Sequence, residues 1–227
     1  MIDVWKQLDA EVISCERCPR LRAYCRQVAA TKRSAFAGWE YWGQPVPGFG
    51  DHEAHLLSVG LAPAAHGANR TGRIFTGDVR GAGDFLMAAL HRHGLANQPL
   101  SVSRDDGLRL IDCYITAIVR CAPPENRPLP QEIANCRPYL VREIQLLPRL
   151  RVILALGALA FAGALAALPS RPRGLAFAHG ASHQVGACRV VCSYHPSRQN
   201  TQTGKLTSGM FDAVLQEALR WARVDTP

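Results

Sequence analysis

Apolar and polar positions follow two recurrent patterns along the chain from residue 55 onward. Short apolar runs bounded by turn residues are typical of buried strands, and they occupy residues 55–60, 113–119, 152–156 and 189–194. Stretches with helical spacing of apolar residues predict helices over 84–93, 131–147, 158–168 and 207–222. Strands that alternate with helices indicate βαβ units. We therefore predict an α/β protein with three layers, α/β/α, around a short central parallel sheet of about four strands.

The ends of the predicted strands indicate where a site would lie. Ligands of an open parallel sheet bind beyond the carboxyl ends of its strands. Here those ends lead into three polar, turn-rich loops, at residues 61–78, 120–130 and 195–207. The first fifty residues are mixed in pattern and end in a glycine- and proline-rich stretch at 43–50. With 227 residues, the chain is expected to form one domain with an N-terminal arm, 1–50.

Composition bears on the partner and on the compartment. The net charge of +8 rests almost entirely on arginine, since lysine occurs only at positions 6, 32 and 205. Guanidinium groups suit bidentate contacts with phosphate, although an arginine-rich genome gives the same bias. The longest apolar stretch, 152–168, contains Gly157 and Gly163 and is more typical of a buried strand and helix than of a membrane span. Since no signal-peptide pattern is seen, we expect a cytoplasmic protein without membrane contact.

Four of the eight cysteines are spaced in a way that suits a metal centre. Cys15 and Cys18 form a C-x-x-C, and Cys121 and Cys136 follow much later in the chain. Such a set predicts a zinc or iron–sulfur site that ties the N-terminal arm to the body of the domain. The familiar zinc pattern has a second C-x-x-C, which is missing here. A redox dithiol formed by the close pair is an alternative that leaves the two distant cysteines without a role. Core packing is expected for Cys113, Cys188 and Cys192, which sit in strand-like runs.

The first and third loops carry side chains that suit bond cleavage. Residues 60–78 are rich in glycine and small side chains, which leaves backbone N–H groups open to a ligand, but the G-K-[ST] ending of a P-loop is missing. Asp78, Phe75 and His195 would combine a carboxylate, an aromatic ring and an imidazole. That set can cleave a bond next to a sugar, because the carboxylate steadies a developing cation and the imidazole receives charge on the leaving group. Each residue also has a structural alternative: a helix cap for Asp78, a His-Pro turn for His195 and core packing for Phe75.

Three long motifs carry a resemblance to a known family. They are G-L-A-P-A-A-H-G-A-N-R-T-G-R-I-F-T-G-D at 60–78, R-C-A-P-P-E-N-R-P at 120–128 and S-Y-H-P-S-R-Q-N-T-Q-T-G-K-L-T at 193–207. Together with C-E-R-C-P-R-L at 15–21, they closely resemble the motifs of the family 5 uracil-DNA glycosylases, in the same order. The resemblance covers the chain from about residue 15 to residue 220.

The resemblance implies the uracil-DNA glycosylase superfamily fold and hydrolysis of the N-glycosidic bond of a damaged base flipped from the duplex. Phe75 matches the aromatic residue on which the base stacks, and His195 matches the histidine that stabilises negative charge on the leaving base. Asp78 matches the family's candidate for activating water, and Asn126 matches a polar residue beside the pocket. The resemblance also implies a structural four-iron four-sulfur cluster, bound by Cys15, Cys18, Cys121 and Cys136, with zinc as the alternative.

The resemblance further assigns residues to the base and to the DNA. Backbone amides at 64–67 would line the base and the water, and residues 197–200 would enter the minor groove, with Arg198 as the wedge. The predicted base- and DNA-binding residues are Gly60, Ala62, Pro63, Ala64, Ala65, His66, Gly67, Asn69, Arg70, Phe75, Ser197, Arg198, Gln199 and Asn200. The expected partner is double-stranded DNA with a flipped base, bound by a monomer.

Two departures from the wider superfamily bear on the range of substrates. Other members have Asp or Asn in the first motif where this chain has Ala64 and Ala65. Many also read the edge of uracil with an Asn at a strand end, where this chain has Thr116, Ala117 and Ile118. Hydrogen-bond readout is what rejects analogues strongly, so a site without it is expected to discriminate weakly. The resemblance accordingly implies that hypoxanthine and xanthine are accepted beside uracil.

The lysine content bears on the outcome of the reaction. A glycosylase that also cuts the strand needs an amine to form a Schiff base with the sugar. Lys205 is the lysine closest to the predicted pocket residues in sequence, and its run suits phosphate contact. We therefore predict a monofunctional enzyme that leaves an abasic site. A non-catalytic DNA-binding module with a structural metal is the alternative, and it leaves Asp78 and His195 without a role.

Overall fold

A six-stranded sheet forms the centre of the described part of the protein. The computed structural model describes residues 3–77, 81–170 and 174–223. The strands in these ranges are β1 (Phe49–Gly50), β2 (Leu56–Gly60), β3 (Cys113–Ala117), β4 (Val152–Leu156), β5 (Ser182–Val185) and β6 (Cys188–Ser193). Their order across the sheet is β1-β3-β2-β4-β6-β5. The four inner strands run parallel, whereas β1 and β5 pair antiparallel at the two edges.

The parallel centre of the predicted sheet is confirmed, and the strand count is corrected. Each inner strand begins and ends within two residues of its predicted range. The sequence pattern does not predict the two edge strands, because β1 has only two residues and β5, S-H-Q-V, is polar and largely not buried. A strand needs an apolar or alternating run of several residues to be recognised, and neither edge offers one.

Helices flank the sheet on both faces. In the described ranges they are α1 (Val4–Ile13), α2 (Pro19–Thr31), α3 (Ala68–Thr71), α4 (Ala82–Arg92), α5 (Pro130–Leu146), α6 (Ala158–Ala167), α7 (Arg198–Gln202) and α8 (Ser208–Ala222). The helices α4, α5, α6 and α8 confirm the four predicted helices to within two residues at each end. The arm of mixed pattern contains α1 and α2, while α3 and α7 are short helices inside two of the predicted loops. Among the described residues, no helix is both long and apolar enough to cross a membrane.

Both faces of the sheet are buried, as continuous apolar strands predict. Every position of β2, β3 and β4 is buried. One core, which includes Phe161, lies between the sheet and α1, α2, α5 and α6. A second core, which includes Phe211, lies between the sheet and the pair α4 and α8. The packing role predicted for three cysteines is confirmed, since the two cores enclose Cys113, Cys188 and Cys192.

Ring stacking and ion pairs hold the N-terminal arm against the body of the protein. The ring of Trp5 on α1 stacks on His52, with centroids 4.1 Å apart and planes only 5° from parallel. On α2, the guanidinium of Arg20 donates to both carboxylate oxygens of Glu132 on α5, each at 2.8 Å. These contacts bring the C-x-x-C of the arm next to the helix that carries Cys136.

Candidate active site and cysteine cluster

A cavity of about 420 Å³ at the carboxyl edge of the sheet brings the three predicted loops together. It is lined by Leu61, Ala62, Ala64, Ala68, Ile74, Phe75, Thr76, Ala82, Gly83, Asn126, His195, Ser197, Arg198 and Gln199. Phe75, Asn126 and His195 are the side chains to which the resemblance assigns stacking, polar contact and charge stabilisation. The predicted site residues do not include six lining residues, which lie within or just after the first motif: Leu61, Ala68, Ile74, Thr76, Ala82 and Gly83.

The predicted site residues divide into three groups by position. Those that line the cavity are Ala62, Ala64, Phe75, Asn126, His195, Ser197, Arg198 and Gln199. Those that lie outside its lining are Gly60, Pro63, Ala65, His66, Gly67, Asn69, Arg70 and Asn200. Asp78 lies outside the described residues.

Phe75 is held in an unusual position at the wall of the cavity. Its backbone φ is +53°, in the left-handed region that residues with a bulky side chain seldom adopt. A Cβ added to Gly60 would lie 2.9 Å from the Phe75 ring, so this glycine allows the ring to sit against β2. A Cβ added to Gly83 would lie 2.4 Å from the Phe75 carbonyl oxygen, which makes the start of α4 equally restrictive. Phe75 is thus confined at its ring by Gly60 and at its backbone by Gly83, two positions that only glycine can occupy without displacement.

His195 adjoins Phe75 in the wall of the cavity. The two rings are 6.0 Å apart between centroids, with 28° between their planes. The carbonyl of His195 accepts a hydrogen bond of 2.8 Å from the Asn200 side-chain amide, and Ser197 Oγ accepts one of 3.2 Å from the Asn200 backbone N–H. These bonds fix the turn after β6. Because the Asn200 side chain is bound to the His195 carbonyl, Asn200 does not line the cavity.

Burial lowers the pKa of His195 to about 4. At neutral pH its imidazole is therefore uncharged, and a neutral imidazole has one N–H donor and one acceptor nitrogen. A neutral ring with one N–H donor can stabilise negative charge on a neighbouring group through a hydrogen bond without carrying charge itself.

Asn126 reaches the cavity from a strained turn. It ends the 3₁₀ segment Pro124–Asn126, in which Glu125 and Asn126 both have left-handed backbones, with φ of 54° and 57°. Asn tolerates this region better than most residues, because its short polar side chain can bond locally. Two successive left-handed residues are costly, and such strain concentrates at sites where the surrounding structure fixes a functional group.

Asn69 and Arg70 lie inside the first loop. Asn69 is fully buried, and its amide donates to the carbonyls of Cys25 at 3.3 Å and Ala65 at 3.4 Å. The guanidinium of Arg70 sits 4.0 Å from the ring centroids of both Phe36 and Trp39. Both side chains connect the loop to the N-terminal arm, so a contact of either with base or DNA stays a prediction.

The four cysteines predicted to bind a metal gather in one core cluster. Cys18 is the N-cap of α2, Cys136 lies on α5 and Cys121 follows β3; all three are buried, while Cys15 is partly buried. Burial is the main cause that raises the pKa of Cys136 to about 11, and the neighbouring thiols of Cys18 and Cys15 raise it further. The arm and the body of the protein therefore meet at these thiols.

Cys25 is a fifth thiol next to this set, and sequence reasoning assigned it no role. Its hydrogen bond with Cys121 is the largest cause that raises the pKa of Cys121, ahead of burial, and the same bond lowers the pKa of Cys25. Cys25 Sγ also lies 3.6 Å from the Ala122 carbonyl oxygen, to which it donates. The signal in the sequence is its spacing, since Cys25 follows Cys18 by about two helical turns on α2.

The donor set fits a metal–sulfur group. Thiolates are soft ligands that suit zinc and iron–sulfur clusters, and a bound metal displaces the protons that buried thiols otherwise keep. Across the described ranges, no three His, Cys, Asp or Glu side chains converge closely enough to hold one metal ion. A single zinc draws all its ligands to one point, whereas a four-iron cluster takes one thiolate on each iron. Soft thiolate donors suit either group.

Comparisons with known proteins identify the family of this chain. The model of the Uracil DNA glycosylase superfamily matches residues 47–219. A protein named Type-5 uracil-DNA glycosylase from Thermus thermophilus is 51% identical over 210 residues, which cover 92% of this chain and 94% of the relative. A protein of the same name from Mycobacterium tuberculosis is 49% identical, covering 96% and 82% of the two chains.

More distant relatives extend the comparison. A Type-5 uracil-DNA glycosylase from Pyrobaculum aerophilum is 46% identical over 91% of this chain and 88% of its own. A Type-4 uracil-DNA glycosylase from the same organism is 32% identical over 70% and 74%. The identity is higher to the type-5 than to the type-4 protein of one organism. The chain therefore belongs to the type-5 uracil-DNA glycosylases, within the Uracil DNA glycosylase superfamily.

Proposed function

We propose that this protein removes uracil from DNA by hydrolysing its N-glycosidic bond, and that it leaves an abasic site. The observation that carries the proposal is the cavity in which an aromatic ring, an amide side chain and a neutral imidazole meet: Phe75, Asn126 and His195. A duplex cannot enter a cavity of about 420 Å³, so the base must leave the stack to reach it.

The flipped base stacks on Phe75, and Asn126 and His195 bind its polar edge. Water attacks C1′ of the deoxyribose, the C1′–N1 bond breaks, and its electron pair leaves with the uracil. Negative charge then develops on the uracil oxygen, where the neutral His195 donates a hydrogen bond that is strongest in the transition state. Asp78, directly after Gly77 in the chain, orients the water and steadies the cationic sugar; the proton of the water passes to the leaving base or to solvent.

The third loop holds the DNA with the base extruded. Ser197, Arg198 and Gln199 line the cavity at the start of α7, and Arg198 is exposed. We place this turn in the minor groove, where an inserted side chain fills the gap left by the base. Because Ser197 Oγ caps α7 and the Asn200 amide holds His195, Arg198 and Gln199 are the residues of this turn that contact DNA through their side chains.

The site accepts other deaminated bases, including hypoxanthine and xanthine. Part of the wall consists of very small residues: Ala62, Ala64, Ala82 and Gly83. The strand-end position that could read uracil is turned away, because Thr116 is fully buried and donates to Glu143 at 2.8 Å. A site with room for a larger base and with few hydrogen-bonding readers rejects analogues weakly.

The chain forms a single domain, residues 1–227. A four-iron four-sulfur cluster bound by Cys15, Cys18, Cys121 and Cys136 ties the arm, residues 1–50, to the rest of that domain. When bound, the cluster supplies cross-linking rather than reaction chemistry. It holds the second loop, which carries Asn126, next to the arm. We place the protein in the cytoplasm, where free thiols persist, and it acts on double-stranded DNA as a monomer.

Product analysis tests the proposed reaction. The protein is incubated with a duplex that carries one uracil, and the free base and the strand are examined separately. Release of free uracil, with strand breaks appearing only after alkali, is expected for the wild type and for Lys205→Ala alike. Duplex binding without release of any base would support a non-catalytic DNA-binding module. Strand cleavage that is lost in Lys205→Ala would overturn the monofunctional assignment.

A further inference from the structure

Arg73 joins the segment that carries Phe75 to a separate loop, at residues 101–108. Its side chain is buried and spreads its donors over that loop, reaching Asp106 at 2.7 and 2.8 Å and the Arg104 carbonyl at 3.1 Å. The same guanidinium donates to Ser101 Oγ at 2.9 Å and, through Nε, to Thr76 Oγ1 at 3.0 Å. One side chain thus contacts both sides of the junction.

Asp106 gives the loop its shape. Its carboxylate accepts hydrogen bonds from the backbone N–H groups of Val102 at 2.7 Å, Ser103 at 3.2 Å and Leu108 at 3.0 Å. Burial opposes the charge of this carboxylate, but the hydrogen bonds from Arg73 and from the three amides outweigh burial and lower the pKa of Asp106. The loop therefore keeps a charged acceptor directly under Arg73.

The two residues after Phe75 are fixed by this loop. The N–H of Gly77 donates to the Ser101 carbonyl at 2.8 Å, and Thr76 Oγ1 shares a hydrogen bond with Ser101 Oγ. Phe75 itself has the left-handed φ of +53° and is confined by Gly60 and Gly83. A strained residue keeps its conformation only when its surroundings determine it more strongly than its own preference does.

We propose that Arg73 and Asp106 form a positioning pair, which holds Phe75 in its left-handed conformation and so keeps the stacking ring at the height of the flipped base. The inference rests on the proposed function, since it gives Arg73 a role in the reaction through Phe75. Neither Arg73 nor Asp106 is among the residues that line the cavity. Their effect is therefore expected on the rate of base release rather than on binding of the duplex.

The test is a double-mutant cycle between Arg73→Lys and Phe75→Leu. Lysine keeps the charge but loses the fork that reaches Asp106, Ser101 and Thr76 together. We expect Arg73→Lys to lower the single-turnover release of uracil about tenfold in the wild-type background, and less than about twofold when Phe75 is already leucine. Duplex affinity and thermal midpoint are measured for all four proteins. The matched control is Arg92→Lys. Arg92 on α4 pairs at the surface with Asp212 on α8 at 2.8 Å, and its replacement is expected to leave the rate of uracil release unchanged.

Equal losses in the two backgrounds would overturn the proposal, and so would a loss that follows duplex affinity. If Arg73→Lys does not fold, Ser101→Ala takes its place in the same cycle, because it removes only the hydroxyl that meets Arg73 and Thr76. Uracil release by the wild type separates the two claims. No release would remove the proposed function itself, whereas release with an additive cycle would remove only the positioning pair.

Discussion

Unusual backbone conformations concentrate at the cavity. In the described residues, the non-glycine positions with positive φ are Lys32, Phe75, Asp112, Glu125 and Asn126. Two of them line the cavity, and Glu125 directly precedes one of these. Such conformations cost on the order of 1–3 kcal/mol each and persist where the surrounding structure imposes them. The strained backbone at the cavity therefore lowers the stability of the fold, and it positions the side chains of Phe75 and Asn126.

The low pKa of His195 predicts how stability depends on pH. Its folded-state pKa of about 4 lies below the ordinary value of 6.5, so the folded protein gains less from protonation than the unfolded chain does. The stability is fully present above pH 6.5 and is lost as the pH falls toward 4. Compared with His195→Gln, the wild type should lose about 2–3 kcal/mol of unfolding free energy over this range. Urea denaturation of both proteins at pH 7.5 and pH 4.5 measures this loss of unfolding free energy. An equal change with pH in the wild type and in His195→Gln would contradict the low pKa of His195.

Gly83 offers a second residue-scale prediction. A Cβ at this position would lie 2.4 Å from the Phe75 carbonyl, so Gly83→Ala must displace Phe75 or the start of α4. We expect a loss of about 1–3 kcal/mol in stability and slower release of uracil. The control is Gly209→Ala on α8, where no atom lies within 4 Å of the added Cβ. Similar thermal midpoints and rates of uracil release for the two variants would contradict the close approach of Gly83 to the Phe75 backbone.

At the scale of helices and strands, the arm brings a half-buried acid, Asp9 on α1, close to α5. Burial, and then the charge of Glu143, raises the pKa of Asp9 on α1 to about 6. Glu143 also pairs at 2.5 Å with Arg120, and both residues are almost completely buried. The arm thus carries an ionisable group that is destabilising when it is charged.

Removing that charge should stabilise the protein. The folded-state pKa of Asp9 lies above its ordinary value of 3.8, so the cost of ionisation is absent below pH 3.8 and present above pH 6. Asp9→Asn is expected to raise the unfolding free energy by about 1–2 kcal/mol at pH 7.5, with a gain that shrinks toward pH 4. Glu53→Gln, at an exposed position, is the control. The unfolding free energies of the variants and the wild type are compared at pH 7.5 and toward pH 4. If Asp9→Asn gained the same stability at both, the raised pKa of Asp9 would be contradicted.

Length and apolar pattern together decide which elements the sequence predicts. The helices α1 and α2 have 10 and 13 residues, but they lie in the arm of mixed pattern and are not predicted. The helices α4, α5, α6 and α8 have ten or more residues and repeat their apolar face often enough to be recognised. The five residues of α7 are all polar, and β1 is too short to show any period. The motifs place Phe75, Asn126 and His195 in loops at the correct edge of the sheet. The contact of Arg73 with Asp106 joins residues 33 positions apart, and no local pattern predicts it.

For the whole molecule, the cysteine cluster is where the arm and the body meet. Cys15 and Cys18 belong to the arm, whereas Cys121 and Cys136 belong to the second loop and α5. A cluster bound by all four would cross-link segments that lie more than a hundred residues apart in sequence. Closing so long a loop restricts the unfolded chain, so loss of the cluster is expected to loosen the arm rather than the sheet.

Iron content tests this view of the molecule. Cys121→Ser is expected to lose most of its iron and the absorption near 400 nm that an iron–sulfur protein shows (a range of about 380–420 nm), because one of four thiolates is missing. Its arm should also become sensitive to protease. Cys25→Ser is the matched control and is expected to keep its iron, since Cys25 is not in the proposed ligand set. Loss of iron from Cys25→Ser, with iron retained in Cys121→Ser, would contradict the ligand assignment. Finding zinc instead of iron in the wild type would contradict the iron–sulfur cluster.

The central claim is that the cavity is a uracil-release site in which a neutral His195 stabilises the leaving base. The most direct measurement is the single-turnover rate of uracil release from a duplex by wild type, His195→Ala and His91→Ala, with duplex affinity measured in parallel. His91 lies at an exposed position on α4 and serves as the control histidine. The account predicts a loss of at least about a hundredfold in His195→Ala, with affinity retained, and no change in His91→Ala. Equal rates for wild type and His195→Ala would contradict it.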